Sequence, residues 1–130
     1  MKKKKPDIRI DTYGRYSAWD TSTKELPEIL EFTETIEAAE GNEFGMVLRI
    51  RGGKGLKLAF CIKHPPFIGK RGKPEPDFTG EYYVNSNDFR FFIGDGIRPP
   101  AEDKAGKWEI FVYFEGEIIA SRSFQVILPK

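Results

Sequence analysis

The chain has 130 residues, of which 39% are hydrophobic and 32% are charged, and its formal net charge is +1 at pH 7. This length fits one domain with a real core, and the small net charge excludes a global field that recruits nucleic acid or membrane. The single cysteine, Cys61, excludes an intrachain disulfide and favours a reducing compartment.

The N-terminus is basic, with four lysines directly after Met1. A signal peptide would need an apolar run next, but Asp7, Arg9 and Asp11 interrupt it. No other window is long and apolar enough for a transmembrane span. We expect residues 1–6 to form a flexible basic tail and residues 7–130 to form one domain. The expected location is the cytoplasm, unless a leader has been removed.

Residues 7–16 alternate between apolar and polar side chains, which is typical of a strand. The strand is expected to end near Gly14. An edge position would let it pair with its copy in a second subunit, giving a homo-oligomer. A loop rich in Ser, Thr and Asp follows around Trp19.

Residues 25–43 allow two interpretations, and a glutamate recurs there at every third position. A helix would gather one apolar stripe over residues 29–39. A strand would direct Leu30, Phe32, Ile36 and Ala38 to the interior. Helix propensity and strand propensity are close to balanced in this segment.

Residues 44–63 give two alternating runs around the turn Gly52-Gly53-Lys54-Gly55, a pattern that predicts a β-hairpin. Cys61 would share a face with Lys57 and Lys63. We therefore expect its thiol to be partly exposed and its thiolate form to be favoured by the two lysines.

His64-Pro65-Pro66 ends this run, because proline cannot donate a ladder hydrogen bond. A basic Gly/Pro loop over residues 69–76 precedes two further strands, over residues 78–84 and 89–93. A longer loop over residues 94–104 then leads to the last hairpin, which spans residues 105–128. Trp108 anchors that hairpin, and Glu115-Gly116 forms its turn.

Short strands at roughly ten-residue spacing, with no internal repeat and no linker, predict an all-β fold. We expect an antiparallel β-sandwich of about seven strands. Trp108 is expected at the centre of its core.

An ordered set of short motifs supports this fold: Thr35-Ile36-Glu37, Gly41, Phe44-Gly45, His64-Pro65-Pro66, Gly106-Lys107-Trp108 and Ser123-Phe124-Gln125-Val126. In order and spacing they resemble a bacterial family of short proteins catalogued only as a domain of unknown function. The resemblance covers residues 7–128 and implies a single immunoglobulin-like (fibronectin-like) antiparallel β-sandwich. It also favours the strand interpretation of residues 28–38. It implies no catalytic residues.

No constellation for catalysis, metal binding or cofactor binding is visible in the sequence. The one histidine, His64, lies three residues after Cys61, and that spacing places the two side chains on opposite faces of a strand. One Cys with one His gives no tetrahedral metal set. The glycine-rich turn at residues 51–55 lacks the Gly-Lys-Ser/Thr ending of a phosphate loop. We predict no enzyme activity and no cofactor.

The leading interpretation is a non-enzymatic binding or scaffold module for a protein partner that the sequence does not identify. The alternative is an anion or nucleic-acid binder that uses the basic glycine-rich loops 51–57 and 69–73, if both meet at one end of the sandwich. Phe67, Tyr83 and Phe92 are candidates for base stacking in that case. The residues that could contact an anion or a partner are Arg51, Lys54, Lys57, Lys70, Arg71 and Lys73.

Nucleic acid is not the expected partner, because the charge blocks can neutralise each other. Residues 25–43 hold seven glutamates and no Lys or Arg, whereas residues 44–73 hold eight Lys and Arg and no acid. If the two segments form a hairpin, Glu31 or Glu34 should face Arg49 across the strands. No membrane association is expected.

Overall fold

Nine β-strands and one 3₁₀ helix form the part of the chain that the computed structural model describes, residues 6–18, 25–69 and 72–129. The helix spans Ala101–Lys104. The strands are β1 (Asp7–Tyr16), β2 (Ile29–Glu31), β3 (Thr35–Glu37), β4 (Glu43–Arg51), β5 (Lys57–Lys63), β6 (Phe78–Tyr83), β7 (Asp88–Gly96), β8 (Gly106–Phe114) and β9 (Glu117–Ile127).

The strands form two sheets that face each other. One sheet has four strands in the order β2-β1-β4-β7, and the other has five in the order β3-β9-β8-β5-β6. All neighbours are antiparallel except β3 and β9, which are parallel. The predicted all-β sandwich is therefore confirmed, and β6 and β7 form the edges of the two sheets on the same side.

Trp108 lies at the centre of the core, as predicted. Its side chain is 1% exposed, and its ring packs edge-to-face on Phe44, with centroids 5.2 Å apart. Phe44 also packs on Phe124, at 5.4 Å. The core thus joins alternate residues of β4, β8 and β9, because each strand directs every second side chain inward.

The C-terminal hairpin forms as predicted. β8 and β9 pair from Gly106 with Val126 to Phe114 with Glu117. Glu115 and Gly116 make the turn with φ angles of 49° and 82°. Two consecutive positive φ angles are typical of the tight turns that match strand twist, and glycine adopts them without steric cost.

The hairpin predicted for residues 44–63 is wrong, although both strands exist. β4 lies in the four-stranded sheet and β5 in the five-stranded sheet. The connection between them bonds instead to the segment before β7: Gly52 N–H donates to Asn87 O at 2.9 Å, and Gly55 N–H donates to Val84 O at 2.7 Å. Both strands direct one face to the same core, so their alternation does not distinguish a hairpin from a crossing between sheets.

Residues 28–38 are extended, but as two short strands in different sheets. β2 pairs with β1 and β3 pairs with β9, so the chain crosses between the sheets near Glu34. Ile36 and Ala38 are buried as the strand interpretation requires, whereas Leu30 and Phe32 are 52% and 60% exposed. This division raises the strand count from about seven to nine.

The two charge blocks do not pair with each other, which corrects the prediction for Arg49. Neither β2 nor β3 lies beside β4, because β1 and β7 are the neighbours of β4. Arg49 instead forms a bidentate ion pair with Asp88 on β7, with both N–O distances 2.8 Å. Of the two glutamates predicted to face it, Glu31 pairs with Arg15 at 3.6 Å and Glu34 with Arg122 at 3.4 Å.

The N-terminal strand lies between β4 and β2, but its pairing with β2 is restricted to Arg15 and Tyr16. Pro6, the last residue of the predicted tail, is buried, so the tail prediction now applies to residues 1–5, which lie outside the described residues. The predicted loop around Trp19 also lies partly outside them. In the described part of the chain, no helix is long and apolar enough to cross a membrane.

Candidate functional site

An open cleft of about 520 Å³ lies where the core of the sandwich reaches the surface. One wall comes from the connection between β5 and β6, and the other from the end of β7 and the segment before β8. The lining residues are Ile62, Phe67, Ile68, Gly69, Glu75, Phe78, Gly94, Asp95, Gly96, Arg98, Pro99, Lys104 and Trp108.

The floor of the cleft is apolar and rigid. Ile62 and Trp108 are buried core residues of β5 and β8, and Phe78 at the start of β6 packs against the same core. The Trp108 indole Nε1–H donates to the carbonyl oxygen of Lys104 at 2.8 Å. This bond ties the 3₁₀ helix to the floor, so the wall and the floor form one unit.

Lys104 is the buried charged residue of this site, with only 6% of its surface exposed. Its ammonium donates to the carbonyl oxygen of Pro100 at 3.1 Å and to the carboxylate of Asp103. The same ammonium lies 4.3 Å from the centroid of the Phe67 ring. Its charge is thus compensated within the wall, because an ion pair, a carbonyl and a ring face all contact it.

Asp95 supplies a partly buried carboxyl group at the end of β7. Burial raises the pKa of Asp95 above its ordinary value, while the Gly96 N–H and the neighbouring Arg98, His64 and Lys104 oppose that rise. Gly96 N–H donates to Asp95 Oδ1 at 2.8 Å. The raised pKa of Asp95 shows that these neighbours do not fully compensate its negative charge.

A second carboxyl group, that of Glu43, lies close to the first. Residues 43 and 44 of β4 pair with residues 96 and 95 of β7. Burial raises the pKa of Glu43, the charge of Asp95 raises it further, and Arg98 lowers it. The end of the four-stranded sheet therefore carries two carboxyl groups that resist ionising together.

His64 supports the wall formed by the β5–β6 connection. Its Nδ1 lies 2.8 Å from Pro65 O, and its Nε2 lies 2.8 Å from Pro76 O. Its ring packs on Phe67 and Phe78, with centroids 4.6 and 4.7 Å away. Because both ring nitrogens face backbone carbonyls, His64 is placed to hold the connection and not to act on a substrate.

The rim of the cleft is a small hairpin between β5 and β6. Ile68 and Pro74 form an isolated bridge, and Glu75 N–H donates to Phe67 O at 3.0 Å. The Glu75 carboxylate lies over Gly69, where an added Cβ would come within 1.7 Å of it. Ile68 is 56% exposed, so the rim presents an apolar side chain beside an acidic one.

The described basic residues predicted to contact an anion fall into two groups along the chain. Arg51, Lys54 and Lys57 lie before or at the start of β5, whereas exposed Lys73 follows its end. The seven-residue strand β5, which lies between the two groups in the chain, spans roughly 20 Å. Lys57 also pairs with Glu81 at 3.5 Å. Lys70 and Arg71 lie outside the described residues.

The aromatic residues predicted for base stacking are also apart. Phe67 lines the cleft, Phe92 is 1% exposed and Tyr83 is 69% exposed. Phe92 packs with Tyr16 and Val47 on the other face of the four-stranded sheet. These three positions therefore give no shared stacking surface.

Cys61 is partly exposed, as its parity predicted. The prediction that neighbouring lysines favour the thiolate form of Cys61 is wrong. Burial and the charge of Asp77 raise the pKa of Cys61, and together they outweigh Lys63, which lowers it. Within residues 6–18, 25–69 and 72–129, no three His, Cys, Asp or Glu side chains gather as a metal site.

The family of the chain is established by its sequence. A family model described as a domain of unknown function, DUF3859, matches residues 4–126. The chain belongs to the DUF3859 family. The resemblance expected from the short motifs is therefore confirmed, and in this DUF3859 domain several of them meet around the cleft. Trp108 forms its floor, His64 supports its wall, and an added Cβ at Gly106 would contact the Pro65 ring at 2.6 Å.

Solved structures agree with the fold. The domain is similar to an immunoglobulin-like protein from Pseudomonas aeruginosa with a TM-score of 0.73 and 20% identity, covering 93% of this chain and 97% of that one. This similarity shows the immunoglobulin-like fold. A second match, the Pseudomonas fluorescens alkylpurine DNA glycosylase AlkC bound to DNA containing an abasic site analog, has a TM-score of 0.41 and 11% identity. It covers 72% of this chain and 27% of that one, and a TM-score this low supports no argument. No curated protein matches the sequence.

Several lining residues were missed by the sequence analysis, above all Asp95, Arg98 and Lys104. They lie in the segment interpreted only as a long loop into the last hairpin. The available signal was the position of that loop: Asp95, Arg98 and Lys104 lie on either side of Pro99-Pro100, in the segment that directly precedes the strand carrying Trp108. A loop joined to the core tryptophan by so few residues must lie beside it.

Proposed function

We propose that this DUF3859 domain is a non-enzymatic recognition module that binds a partner protein in the cleft. The observation that carries the proposal is the open cleft of about 520 Å³ at one end of the core. The half-buried rings of Phe67 and Phe78 line it, and the buried side chains of Ile62 and Trp108 form its floor. Ligand sites in proteins combine such an apolar floor with a few polar groups at the rim.

The chemistry of the described cleft supports binding and not catalysis. The ring nitrogens of His64 contact carbonyls, and the ammonium of Lys104 is held by Pro100 and Asp103. A nucleophile would need a free base within hydrogen-bond reach, and the lining residues that the structure describes include no such pair. The cytoplasm remains the compartment that we propose, because the single thiol needs no oxidising environment.

The proposal is tested by changing the rim without changing the core. Ile68→Asp places a charge at the entrance, and because Ile68 is 56% exposed the fold should persist. Ile118, 53% exposed on β9, gives the matched control Ile118→Asp. With a photo-crosslinking residue at position 98, the unmodified chain and the control should label the same partner in native cells. Ile68→Asp should lose that labelling. Equal labelling by both variants would refute the cleft as the binding site.

The predicted edge-mediated homo-oligomer stays a prediction. Sedimentation of the purified chain over a wide concentration range measures it directly. Among the described residues no observation favours the anion or nucleic-acid alternative, because Arg51, Lys54 and Lys57 lie before or at the start of β5 and Lys73 follows its end.

A further inference from the structure

The open edge of β7 lies along the cleft, and its backbone orientation can be derived. Ile97 N–H donates to Asn42 O at 2.8 Å, and Ile97 O accepts from Gly41 N–H at 3.1 Å. Main-chain groups of alternate residues point to opposite sides of a strand. Residues 93 and 95 therefore face β4, whereas residues 92, 94 and 96 face away from it.

A second contact supports this assignment. The Tyr82 hydroxyl donates to the carbonyl oxygen of Phe92 at 3.3 Å, and Tyr82 belongs to β6 in the opposite sheet. Tyr82 therefore covers the outward edge of β7 at Phe92. Beyond Phe92, the strand continues to Gly94 and Gly96. Both glycines line the cleft. Gly96 N–H already donates to Asp95 Oδ1 at 2.8 Å, and the Glu43 carboxyl lies beside Gly96, so Gly94 is the residue at which an added strand can pair.

We infer that the cleft binds an extended segment of a partner protein, which pairs with β7 at Gly94 and places a bulky apolar side chain against Phe67 and Phe78, above the floor formed by Trp108. This inference rests on the proposed function and specifies its ligand. Strand addition supplies main-chain hydrogen bonds, and a pocket for one side chain supplies specificity. Ile62, Phe67 and Phe78 surround the position of that side chain.

The charges around the cleft select a basic segment. Asp95 and Glu75 line it as carboxylates, and Arg98 and Lys104 line it as cations. Lys104 is neutralised by Asp103, so among the described lining residues the acids Asp95 and Glu75 outnumber the remaining base, Arg98. Lys73 is exposed on the rim hairpin and opposes this preference. Burial has removed part of the hydration of the Asp95 carboxyl group, and a Lys or Arg beside the apolar residue of the partner would replace that lost water.

The direct test is a selection of displayed random nonapeptides on the full-length chain, followed by measurement of the binding of each selected peptide to Ile68→Asp. We expect enrichment of an apolar residue with Lys or Arg one or two positions away, and no helical spacing. Enrichment of acidic peptides, or of apolar residues at i and i+4, would overturn the inference.

Backbone methylation of a selected peptide tests strand addition. Alternate amides of an added strand point to β7, so single N-methyl groups at successive positions should alternate in effect. Methylation of a bonded amide should weaken binding by about tenfold, the value of one hydrogen bond. Methylation of the next amide is the matched control and should have little effect. A uniform response along the peptide would overturn strand addition.

Asp95→Asn tests the charge preference, because Asn keeps an acceptor for Gly96 N–H. It should weaken binding of a lysine peptide severalfold and leave the same peptide with norleucine unchanged. Equal losses for both would overturn the role of Asp95. If the peptides bind Ile68→Asp as well as the unmodified chain, the proposed function fails. If only the methylation result fails, cleft recognition stands and strand addition is refuted. If only the charge result fails, cleft recognition stands and the preference for a basic segment is refuted.

Discussion

Trp108 carries two functions at the residue scale, since its ring fills the core and its indole N–H holds the wall of the cleft. Replacing it with Ala should lower the free energy of unfolding by about 3–5 kcal/mol, as for other large aromatic residues in cores. Urea denaturation measures this loss. An unchanged unfolding midpoint would contradict the anchoring role of Trp108.

Trp108→Phe separates the two functions of this residue. Phenylalanine keeps most of the apolar contact with Phe44 but cannot donate to Lys104 O. We expect a smaller loss of stability, together with faster amide hydrogen exchange over residues 101–104. Exchange that remains unchanged there would show that the hydrogen bond does not hold the 3₁₀ helix.

Asp95 should make the domain less stable as pH rises. Its folded-state pKa is raised above its unfolded value, so folding favours the protonated form. The stabilisation of the folded state by the protonated Asp95 carboxyl group is fully present below the unfolded pKa of about 3.9. It is lost as pH rises through the folded-state pKa. Asp95→Asn should therefore raise the melting temperature at pH 7 by a few degrees and remove part of the pH dependence above pH 4.

Glu43 provides an internal control for this prediction. The charge of Asp95 raises the pKa of Glu43, so Asp95→Asn should lower it, and carboxyl NMR titration can follow the change. A Glu43 pKa that stays constant would contradict the electrostatic link between the two carboxyl groups. Unchanged stability at pH 7 would show that burial of Asp95 carries no measurable cost.

At the scale of elements, the partner of Arg49 is set by strand order. Asp88 accepts two hydrogen bonds from its guanidinium, and this contact lowers the pKa of Asp88. Arg49→Glu should lower the melting temperature, and Asp88→Arg in the same chain should partly restore it. Glu31→Arg is the matched control and should restore nothing, because β2 does not neighbour β4. Rescue by Glu31→Arg would contradict the observed sheet order.

The sequence predicts individual strands better than their partners. Alternation located β4, β5, β8 and β9, because each strand buries every second residue. It could not show that β4 and β5 belong to different sheets, since a crossing and a hairpin bury the same positions. The short strands β2 and β3 were also obscured, because three residues are too few for a period and Leu30 and Phe32 remain exposed.

The candidate site was the least predictable feature of the whole molecule. It depends on loops from two sheets that meet beside Trp108, and neither loop contains a motif with a known chemistry. The sequence analysis could identify Trp108 and the strands around it. It could not place Asp95 or Glu75 at one cleft, because their proximity results from long-range pairing rather than local pattern.

Arg122 connects the two sheets on the side opposite the cleft-bearing edges. Its guanidinium lies 3.7 Å from the centroid of the Tyr13 ring on β1 and pairs with Glu34 at 3.4 Å, where the chain crosses between the sheets. Its Nε is buried without a hydrogen-bond partner among the described residues. Burying this unpaired N–H lowers the stability of the fold.

Arg122→Ala should lower the free energy of unfolding by about 1–3 kcal/mol, because it removes both the ring contact and the ion pair. Arg122→Met should cost less than half as much, since an apolar chain still covers Tyr13 and no polar atom is left buried. Urea unfolding followed by fluorescence and by circular dichroism measures both variants, and coincident transitions would show that the sheets still unfold together. Equal losses in the two variants would mean that the ion pair with Glu34, and not coverage of the ring, joins the sheets.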